Sequence, residues 1–358
     1  FRVLKALCLK VELKDAEKAL RLLRRLGFLS GEFKPSKQEK FLLIPVQTRP
    51  PERLLEDLGL KAELVEAEVE RRNKPKNLRE ALKGKIPGEM LEEIPRSLDI
   101  IGHVAVVELP PSLEPYGRLL GEAIMQVHRN VETVMAKAGP VSGETRVRAL
   151  KLLAGKPETL TVHREHSCLF KLDVAKVYFS PRLSFEHARV AGKVQEGEKV
   201  LDMFAGVGPF SILIAKRLRR VEVYAVDVNP EAYRFLVENV RLNRVEGKVK
   251  PLLGDIKALA QSSLKGLKFN RIIMNLPGEA YKYLGEACQL SMPGTTIHYY
   301  AFAEGEEALE KAAKKLVSIL GELKCSGRIL EGRLVREIAP RRWQVALDFQ
   351  VEKLGGNS

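Results

Sequence analysis

Hydrophobic and polar positions divide the first fifty residues into short strand-like and helical runs. Residues 3–11 and 41–46 each predict a strand. Between them, apolar side chains recur at helical spacing over residues 16–26, with Asp15 as the expected N-cap and Gly27 as the expected end. We interpret residues 1–50 as a small α+β module.

The next segment, residues 51–95, is more polar. Residues 51–72 predict a polar helix, and the charged, turn-rich stretch 73–95 predicts a domain connection. We therefore expect residues 51–95 to form a linker with a connecting helix.

Residues 96–190 predict a middle α+β domain. An apolar strand is expected at 100–109 and a long helix at 117–138. Two further strands are expected at 160–163 and 169–173. The segment that follows leads into a helix that carries Glu186 and His187.

Strands and helices alternate in residues 191–358. Strands are predicted at 199–203, 221–226, 249–253 and 271–274, with helices at 210–218 and 230–243. Strands separated by helices of this length indicate a parallel sheet. The last two strands, 328–338 and 342–353, are close in sequence and predict an antiparallel pair. The chain as a whole is expected to be an α/β protein.

Polar residues follow the predicted parallel strands where each one ends. The first strand runs into Asp202 and then a Gly206-x-Gly208 turn that opens a helix. Asp227, Asp255 and Asn275 end the next three strands. Open α/β sheets bind ligands at the carboxyl ends of their strands, and an acid at the second strand end can hold a ribose.

The glycine turn distinguishes two classes of cofactor. A dinucleotide fingerprint needs a third glycine for the pyrophosphate, but Ser211 occupies that position. S-adenosylmethionine has no phosphate and needs no anion cradle, so the pattern favours it over a nicotinamide cofactor. Ordinary strand-end turns would explain Gly206 and Gly208 singly, but not four polar strand ends in series.

The charge of the chain suits a polyanionic partner. Lys and Arg number 60 against 46 Asp and Glu, a formal net charge of +14. The excess is spread over both halves of the chain rather than held in a tail. Phosphate neutralisation is the usual use of such a surface, although a surface rich in ion pairs for thermal stability predicts the same composition.

The remaining composition excludes several classes of protein. The four cysteines are far apart and form no Cys-x-x-Cys, which predicts free thiols. No His, Cys and Asp cluster has metal-ligand spacing, so no metal site is expected. No apolar run of membrane-spanning length and no signal peptide is visible. We therefore expect a cytoplasmic protein.

Two motifs together resemble one enzyme family. Residues 202–211 read Asp-Met-Phe-Ala-Gly-Val-Gly-Pro-Phe-Ser, and residues 178–183 read Tyr-Phe-Ser-Pro-Arg-Leu. Together with Asn275-Leu276-Pro277, they resemble the archaeal and eukaryotic tRNA (guanine-N1)-methyltransferases that act on position 37. The resemblance covers nearly the whole chain. It implies a Rossmann-like methyltransferase domain that binds S-adenosylmethionine, with the middle domain and the N-terminal module before it.

The tetrapeptide after the fourth strand departs from the wider superfamily. Enzymes that methylate exocyclic amines usually carry Asn/Asp-Pro-Pro and an aromatic residue, whereas this chain has Asn275-Leu276-Pro277-Gly278. This departure favours methylation of a ring nitrogen.

The resemblance also implies the catalytic and substrate residues. Ring nitrogen 1 of guanine carries a proton, and its removal places negative charge on the neighbouring carbonyl oxygen. A base and a group that stabilises the oxygen are therefore needed. The matching positions are Glu186 as general base and Arg146 at the oxygen. Asn275 is expected to help hold the cofactor and the base edge, and Tyr178 to flank the flipped guanine.

The resemblance assigns a larger set to the cofactor. These expected cofactor-binding residues are Asp202, Phe204, Gly206, Gly208, His187, Asp227, Val228, Asp255, Ile256, Asn275 and Pro277. It further implies a monomer without an obligate protein partner, whose N-terminal module docks on the outer corner of tRNA.

Plainer interpretations remain open for several residues. Glu186 could be a surface helix residue paired with Arg189 or Arg182, and Arg146 could be a phosphate contact. Tyr178 could belong to the core, and His187 could be structural. Two other functions also remain open: transfer of the aminocarboxypropyl group of the same cofactor in the wyosine pathway, and RNA binding without catalysis.

Overall fold

The computed structural model describes residues 3–51, 61–70, 75–139 and 149–355. The chain divides into two compact units, Phe1–Lys76 and Asn77–Ser358. No helix in these described ranges is long and apolar enough to cross a membrane.

In its described residues, the first unit is an antiparallel sheet that packs against a helix. Its elements are β1 (Val3–Glu12), α1 (Ala16–Arg25), β2 (Ser36–Gln38), β3 (Phe41–Pro45) and β4 (Ala62–Glu70). The strand order is β2-β3-β1-β4. Leu23 of α1 packs with Leu9, Val11 and Ile44 of the sheet in one apolar cluster. The predicted strands and helix of this module are confirmed, although the side chain of Asp15 makes no capping hydrogen bond.

The predicted polar helix over residues 51–72 is wrong where the structure describes this segment. β4 pairs antiparallel with β1 along its length. Its glutamates favour helices in isolation, but they alternate with apolar residues that the sheet buries. Glu66, Glu68 and Glu70 are exposed, whereas Ala67 and Val69 pack against the sheet. The first unit therefore continues past residue 50, and β4 is part of its sheet rather than of a linker.

The first part of the second unit is built on a mixed four-stranded sheet. Its elements are α2 (Leu78–Leu82), β5 (Asp99–Ile101), β6 (Val104–Val107), α3 (Gly117–Val127), β7 (Thr133–Lys137) and β8 (Leu150–Gly155). The strand order is β5-β6-β7-β8, with β6 and β7 parallel. Leu82 of α2 is buried with Leu120 and Ile124 of α3, so the stretch predicted as a connection contributes to this core.

Two predictions for this region are wrong. The strand expected at 100–109 is a hairpin, because Gly102, with a φ of +58°, reverses the chain between β5 and β6. The helix expected at 117–138 ends at Val127. Residues after it form β7, whose Thr133 and Val134 are β-branched and suit a strand. The strands expected near 160 and 170 are confirmed as the hairpin of β9 (Leu160–Glu165) and β10 (Cys168–Asp173).

The rest of the second unit is a seven-stranded sheet flanked by helices. Its elements are α4 (Ser184–Lys193), β11 (Lys199–Asp202), α5 (Pro209–Arg217), β12 (Glu222–Asp227), α6 (Pro230–Leu242), β13 (Val249–Leu253), α7 (Ile256–Gln261), β14 (Phe269–Met274), α8 (Leu284–Leu290), β15 (Ser291–Glu304), α9 (Ala308–Glu322), β16 (Cys325–Ala339) and β17 (Arg342–Leu354). The strand order is β13-β12-β11-β14-β15-β17-β16.

The direction of the strands determines which edge of the sheet carries their carboxyl ends. Neighbouring strands from β13 to β15 are parallel, and β17 pairs antiparallel with both β15 and β16. The predicted parallel sheet and the final antiparallel pair are confirmed. Two apolar layers cover the sheet, one around Phe210 and Phe235 and the other around Phe269 and Phe349. The carboxyl ends of β11, β12, β13 and β14 therefore lie at one edge.

Candidate active site

A cleft of about 1400 Å³ opens at this carboxyl edge. The sequence-predicted site residues that line it are Tyr178, His187, Phe204, Gly206, Asp227, Val228, Asp255, Ile256, Asn275 and Pro277. Three other predicted residues are described but do not line it: Glu186, Asp202 and Gly208. Arg146 lies outside the described residues.

The glycine turn after β11 needs both of its glycines, for different reasons. Gly206 and Gly208 have φ values of +56° and +93°, in the left-handed region. A Cβ on Gly208 would lie 2.6 Å from Leu236 Cδ1 and 2.9 Å from Ile212 Cδ1, so close packing of α5 and α6 excludes a side chain. A Cβ on Gly206 would meet only the carbonyl oxygen of Tyr178, at 3.9 Å. Gly206 therefore leaves the cleft open at the turn.

Asp227 joins this turn to the end of β12. Its Oδ2 accepts a hydrogen bond of 2.7 Å from the backbone N–H of Gly206, and its Oδ1 accepts one of 2.9 Å from the N–H of Asn229. An ionised carboxylate can accept about four hydrogen bonds, so these contacts fix its orientation and are compatible with ribose hydroxyls as further donors.

Asp202 lies behind the turn rather than in the cleft wall. Its Oδ2 accepts a 2.7 Å hydrogen bond from the hydroxyl of Ser211, and its Oδ1 is buried without a hydrogen-bond partner. Burial, together with the nearby charge of Asp227, outweighs the hydrogen bond from Ser211 and raises the pKa of Asp202 to about 7. The position of Ser211 is the one at which a dinucleotide fingerprint would have its third glycine.

The ends of β12 and β13 present a polar and an apolar group each. Val228, directly after Asp227, is an exposed apolar residue on the cleft wall. Asp255 caps α7 by accepting a 3.0 Å hydrogen bond from the N–H of Lys257, and Ile256 beside it is buried. Val228 and Ile256 provide apolar surface suited to a flat ring. Beside them, the carboxylates of Asp227 and Asp255 can accept hydrogen bonds from hydroxyl and amine groups.

The end of β14 supplies another wall. Asn275 and Pro277 line the cleft, and the Pro277 carbonyl accepts a 3.2 Å hydrogen bond from the N–H of Phe302. Phe204 packs edge-on against Tyr283, with ring centroids 5.1 Å apart. These contacts hold the Phe204 ring in place beside the cleft.

His187 is both a cleft residue and a structural one. It is 2% exposed, and its Nδ1 lies 2.6 Å from Oε1 of Glu165. Its ring is perpendicular to that of Phe210, with centroids 4.6 Å apart. The sequence left open a contact with the cofactor and a structural role for His187. Its environment agrees with both, because the residue lines the cleft and is also packed against Glu165 and Phe210.

Glu186 is buried in a network of charges instead of facing the cleft. It is 1% exposed, and its Oε2 accepts hydrogen bonds from Arg189 Nε at 2.9 Å and from the Tyr300 hydroxyl at 2.8 Å. Its Oε1 lies 3.2 Å from Nε of Arg333. The pairing with Arg189 that the sequence left open is present, but it is buried and not on the surface.

Asp348 of β17 anchors the other end of this network. It accepts two hydrogen bonds from Arg189, at 2.7 and 3.2 Å, one from Lys193 at 2.6 Å and one from His298 at 2.6 Å. Burial raises the pKa of Asp348, but these four donors outweigh it and hold the pKa well below its usual range. The charge of Asp348 therefore fixes α4 against β15 and β17.

Comparison with known proteins identifies the family. Residues 161–327 match the TRM5/TYW2 methyltransferase domain, residues 78–159 the TYW2 N-terminal domain and residues 8–55 the tRNA methyltransferase 5 N-terminal domain. The chain is 41% identical over 347 residues to the tRNA (guanine(37)-N(1))-methyltransferase Trm5b of Pyrococcus abyssi, which covers 96% of this chain and 99% of that protein.

The chain belongs to the tRNA (guanine(37)-N(1))-methyltransferase family.

Solved structures of this family resemble the fold over the same length. A complex of aTrm5 with tRNALeu has a TM-score of 0.69 at 35% identity, covering 97% of this chain and 100% of that one. Methanocaldococcus jannaschii Trm5 in complex with adenosine has a TM-score of 0.64 at 33% identity, covering 97% and 99%. The predicted family and fold class are confirmed.

The cleft fits S-adenosylmethionine, the cofactor of this methyltransferase family. The ligand is cationic and has no phosphate. The cleft offers it the carboxylates of Asp227 and Asp255 and the open turn at Gly206. We assign the cofactor to this edge of the sheet.

Sequence reasoning missed the opposite wall of the cleft, which comes from β16 and β17. Arg336 and Gln344 line it together with Ser180 and Phe302. The only signal in the sequence was the polar Gln344 directly before the apolar run 345–347 of β17. Arg336 gave no signal, because arginines are frequent on this chain.

Proposed function

We propose that this protein transfers a methyl group from S-adenosylmethionine to ring nitrogen 1 of guanosine 37 in tRNA. The observation that carries the proposal is the cleft at the carboxyl edge, where Asp227, Asp255 and Asn275 converge with Tyr178. Similarity to a Trm5b protein over nearly the full length of both chains supports the choice of substrate.

The chain's own residues would hold the two reactants at this edge. Asp227, whose orientation is fixed by the Gly206 N–H, accepts from the ribose hydroxyls, and Val228 and Ile256 enclose the adenine. S-adenosylmethionine supplies an electrophilic methyl group when bound. Tyr178, which is 42% exposed, lines the cleft where its side chain can flank a flipped purine.

We further propose Glu186 as the general base and Arg146 as the group that stabilises charge on the guanine oxygen. A base must come within hydrogen-bond reach of the proton that it removes, and such contacts often form only with substrate bound. The carboxylate of Glu186 faces Arg189, Tyr300 and Arg333. Its role therefore requires a rearrangement that brings it into the cleft when RNA binds.

The N-terminal module would act in substrate selection. Its sheet and helix contain no cofactor motif, and residues 8–55 match the tRNA methyltransferase 5 N-terminal domain. We propose that it docks on the outer corner of tRNA. Deletion of residues 1–76 should weaken discrimination against truncated tRNA while preserving turnover at saturating substrate. Intact discrimination after the deletion would contradict this role. A monomeric state and a cytoplasmic location remain predictions.

Mass spectrometry of nucleosides tests the reaction directly. An unmodified tRNA transcript with guanosine at position 37 is incubated with the protein and S-adenosylmethionine, digested and analysed. We expect 1-methylguanosine, and a transcript with adenosine 37 should remain unchanged. A product heavier by an aminocarboxypropyl group would show that the protein catalyses the wyosine-pathway reaction instead of methylation. Cofactor binding without any product would indicate an RNA-binding protein.

A further inference from the structure

A relay of hydrogen-bonded side chains, formed by Arg336, Gln344 and Asn275, runs along the wall of the cleft from β16 through β17 to the turn after β14. Nε of Arg336 donates a 2.9 Å hydrogen bond to Oε1 of Gln344. Nε2 of Gln344 in turn donates a 3.4 Å hydrogen bond to Oδ1 of Asn275. Gln344 is 1% exposed, so its amide has little freedom to find other partners.

The other nitrogens of Arg336 are also engaged with cleft residues. Nη1 donates to the hydroxyl of Ser180 at 3.0 Å, and Nη2 donates to the hydroxyl of Tyr178 at 3.2 Å. In the part of the chain that the structure describes, its guanidinium has no ion pair with a carboxylate. The positive charge of Arg336 is therefore directed at three neutral side chains of the cleft wall.

The strand geometry around Arg336 is adapted to this arrangement. Arg336 and Gln344 are opposite each other in the β16–β17 ladder. The register shifts on both sides of Arg336, between Leu334 and Arg336 and again between Glu337 and Ala339. Bulges of this kind change the direction of a side chain and are frequent next to active sites.

Hydrogen-bond chemistry gives this relay one direction. Arginine donates and never accepts, so the oxygen of Gln344 must face Arg336 and its amine must face Asn275. The oxygen of Asn275 is then the acceptor, which leaves its amine as the group available to a ligand. The hydroxyl of Tyr178 likewise accepts from Arg336, so its own hydrogen can be donated elsewhere.

We propose that Arg336, acting through Gln344 and Tyr178, sets the hydrogen-bonding polarity of the cleft so that it presents donors to the O6 atom of guanine. The inference rests on the proposed function and names two positioning residues, Arg336 and Gln344. The donors are the Asn275 amine and the Tyr178 hydroxyl. Negative charge develops on O6 when the proton leaves nitrogen 1, and oriented donors stabilise such charge. Adenine carries an amine in place of O6, so a donor of the cleft would face a donor of the base.

Substitution of Gln344 tests the direction of the relay. In Gln344→Glu the side chain only accepts hydrogen bonds, so it should take the Asn275 amine and turn the Asn275 oxygen towards the cleft. The matched control is Gln344→Met, which is similar in size and leaves the Asn275 amide free to adopt either orientation. Both proteins are assayed in single turnover at saturating tRNA and cofactor, with guanosine or inosine at position 37.

The expected result depends on O6, which guanine and hypoxanthine share. Gln344→Glu should slow the chemical step by a factor on the order of 100 to 1,000, the usual cost of losing one such donor. The factor should agree within about threefold for the two substrates, a difference of only ~0.65 kcal/mol. Gln344→Met should slow it less. The dissociation constants of tRNA and cofactor should stay near those of the wild type.

Three results would overturn the proposal. A slowdown confined to guanosine would mean that Asn275 reads the 2-amino group through its oxygen. Equal rates for Gln344→Glu and Gln344→Met would mean that packing, not polarity, matters. A change in binding alone would remove the relay from the chemical step. If Gln344→Glu does not fold, Arg336→Met at the half-buried start of the relay must show the same equal slowdown. The wild-type product on guanosine 37 tests the proposed function separately.

Discussion

Glu186→Gln separates a catalytic carboxylate from a structural one. The glutamine can keep an oxygen towards Arg189 Nε and the Tyr300 hydroxyl, now 2.9 and 2.8 Å from Oε2. Its amine would then face Arg333, whose Nε is 3.2 Å from Oε1. Hydrogen bonds to a charged group contribute about 1.5–3 kcal/mol and neutral ones about 0.5–1.5. We therefore expect the free energy of unfolding to fall by about 1–3 kcal/mol, with the fold retained.

The expected effect on the chemical step is larger and has a distinct pH dependence. Loss of a positioned base lowers the rate by a factor on the order of 100 to 10,000, which is about 2.7–5.4 kcal/mol of barrier. The deficit should shrink as pH rises, because solvent can then remove the proton of guanine unaided. The assay is a rapid-quench single-turnover measurement at saturating tRNA and cofactor, repeated across pH.

Tyr300→Phe is the matched control for this prediction. It removes the hydroxyl that donates to Glu186 and leaves the carboxylate and its charge in place. We expect a comparable loss of stability, about 1.5–3 kcal/mol, with a chemical rate within about tenfold of wild type. If Glu186→Gln itself stays within about threefold of the wild-type rate, ~0.65 kcal/mol of barrier, Glu186 is a member of the ionic network and not the base.

Three further predictions follow from the cofactor edge, the buried network and the surface charge. Asp227→Ala should weaken S-adenosylmethionine binding by about tenfold or more, because a hydrogen bond to a carboxylate contributes about 1.5–3 kcal/mol; unchanged affinity in calorimetry would exclude the ribose role. Asp348→Asn should lower the free energy of unfolding by about 3–5 kcal/mol, because it removes a buried partner charge from Arg189. The fluorescence of Trp343, the only tryptophan in the sequence, follows unfolding in urea. The control Glu310→Gln breaks an exposed pair with Lys314 and should leave the free energy of unfolding nearly unchanged; similar losses for both variants would contradict the assignment of Asp348. Binding of tRNA should weaken linearly on a logarithmic salt scale, with a slope of about −0.7 to −0.9 per phosphate contact, whereas a flat dependence would show that the basic surface does not meet phosphates.

The cofactor edge could be predicted from the sequence because its determinants are local. Asp202 and Asp227 end their strands, Gly206 lies in the turn after the first of these strands, and the parallel pairing of the strands brings their ends together. Neither inference requires knowledge of distant contacts. The same local reasoning placed Asn275 and Asp255 at this edge.

The wall formed by β16 and β17 could not be predicted, because it depends on pairing between distant segments. Gln344 meets Asn275 only because β17 lies next to β15, and the network of Glu186 closes only because Asp348 belongs to the same strand. The misassigned β4 has a similar cause, since pairing with β1 overrides the helix propensity of its glutamates.

The position of β17 has a consequence for the synthesis of the protein. β17 is made after β15 and β16 and yet lies between them in the sheet. At about 5–20 residues per second, a nascent chain that has just completed β16 carries an unpaired edge on β15 and a strand with no neighbour. Open edges of this kind invite pairing with other chains. Slow pairing of β17 should therefore lower the yield of folded protein.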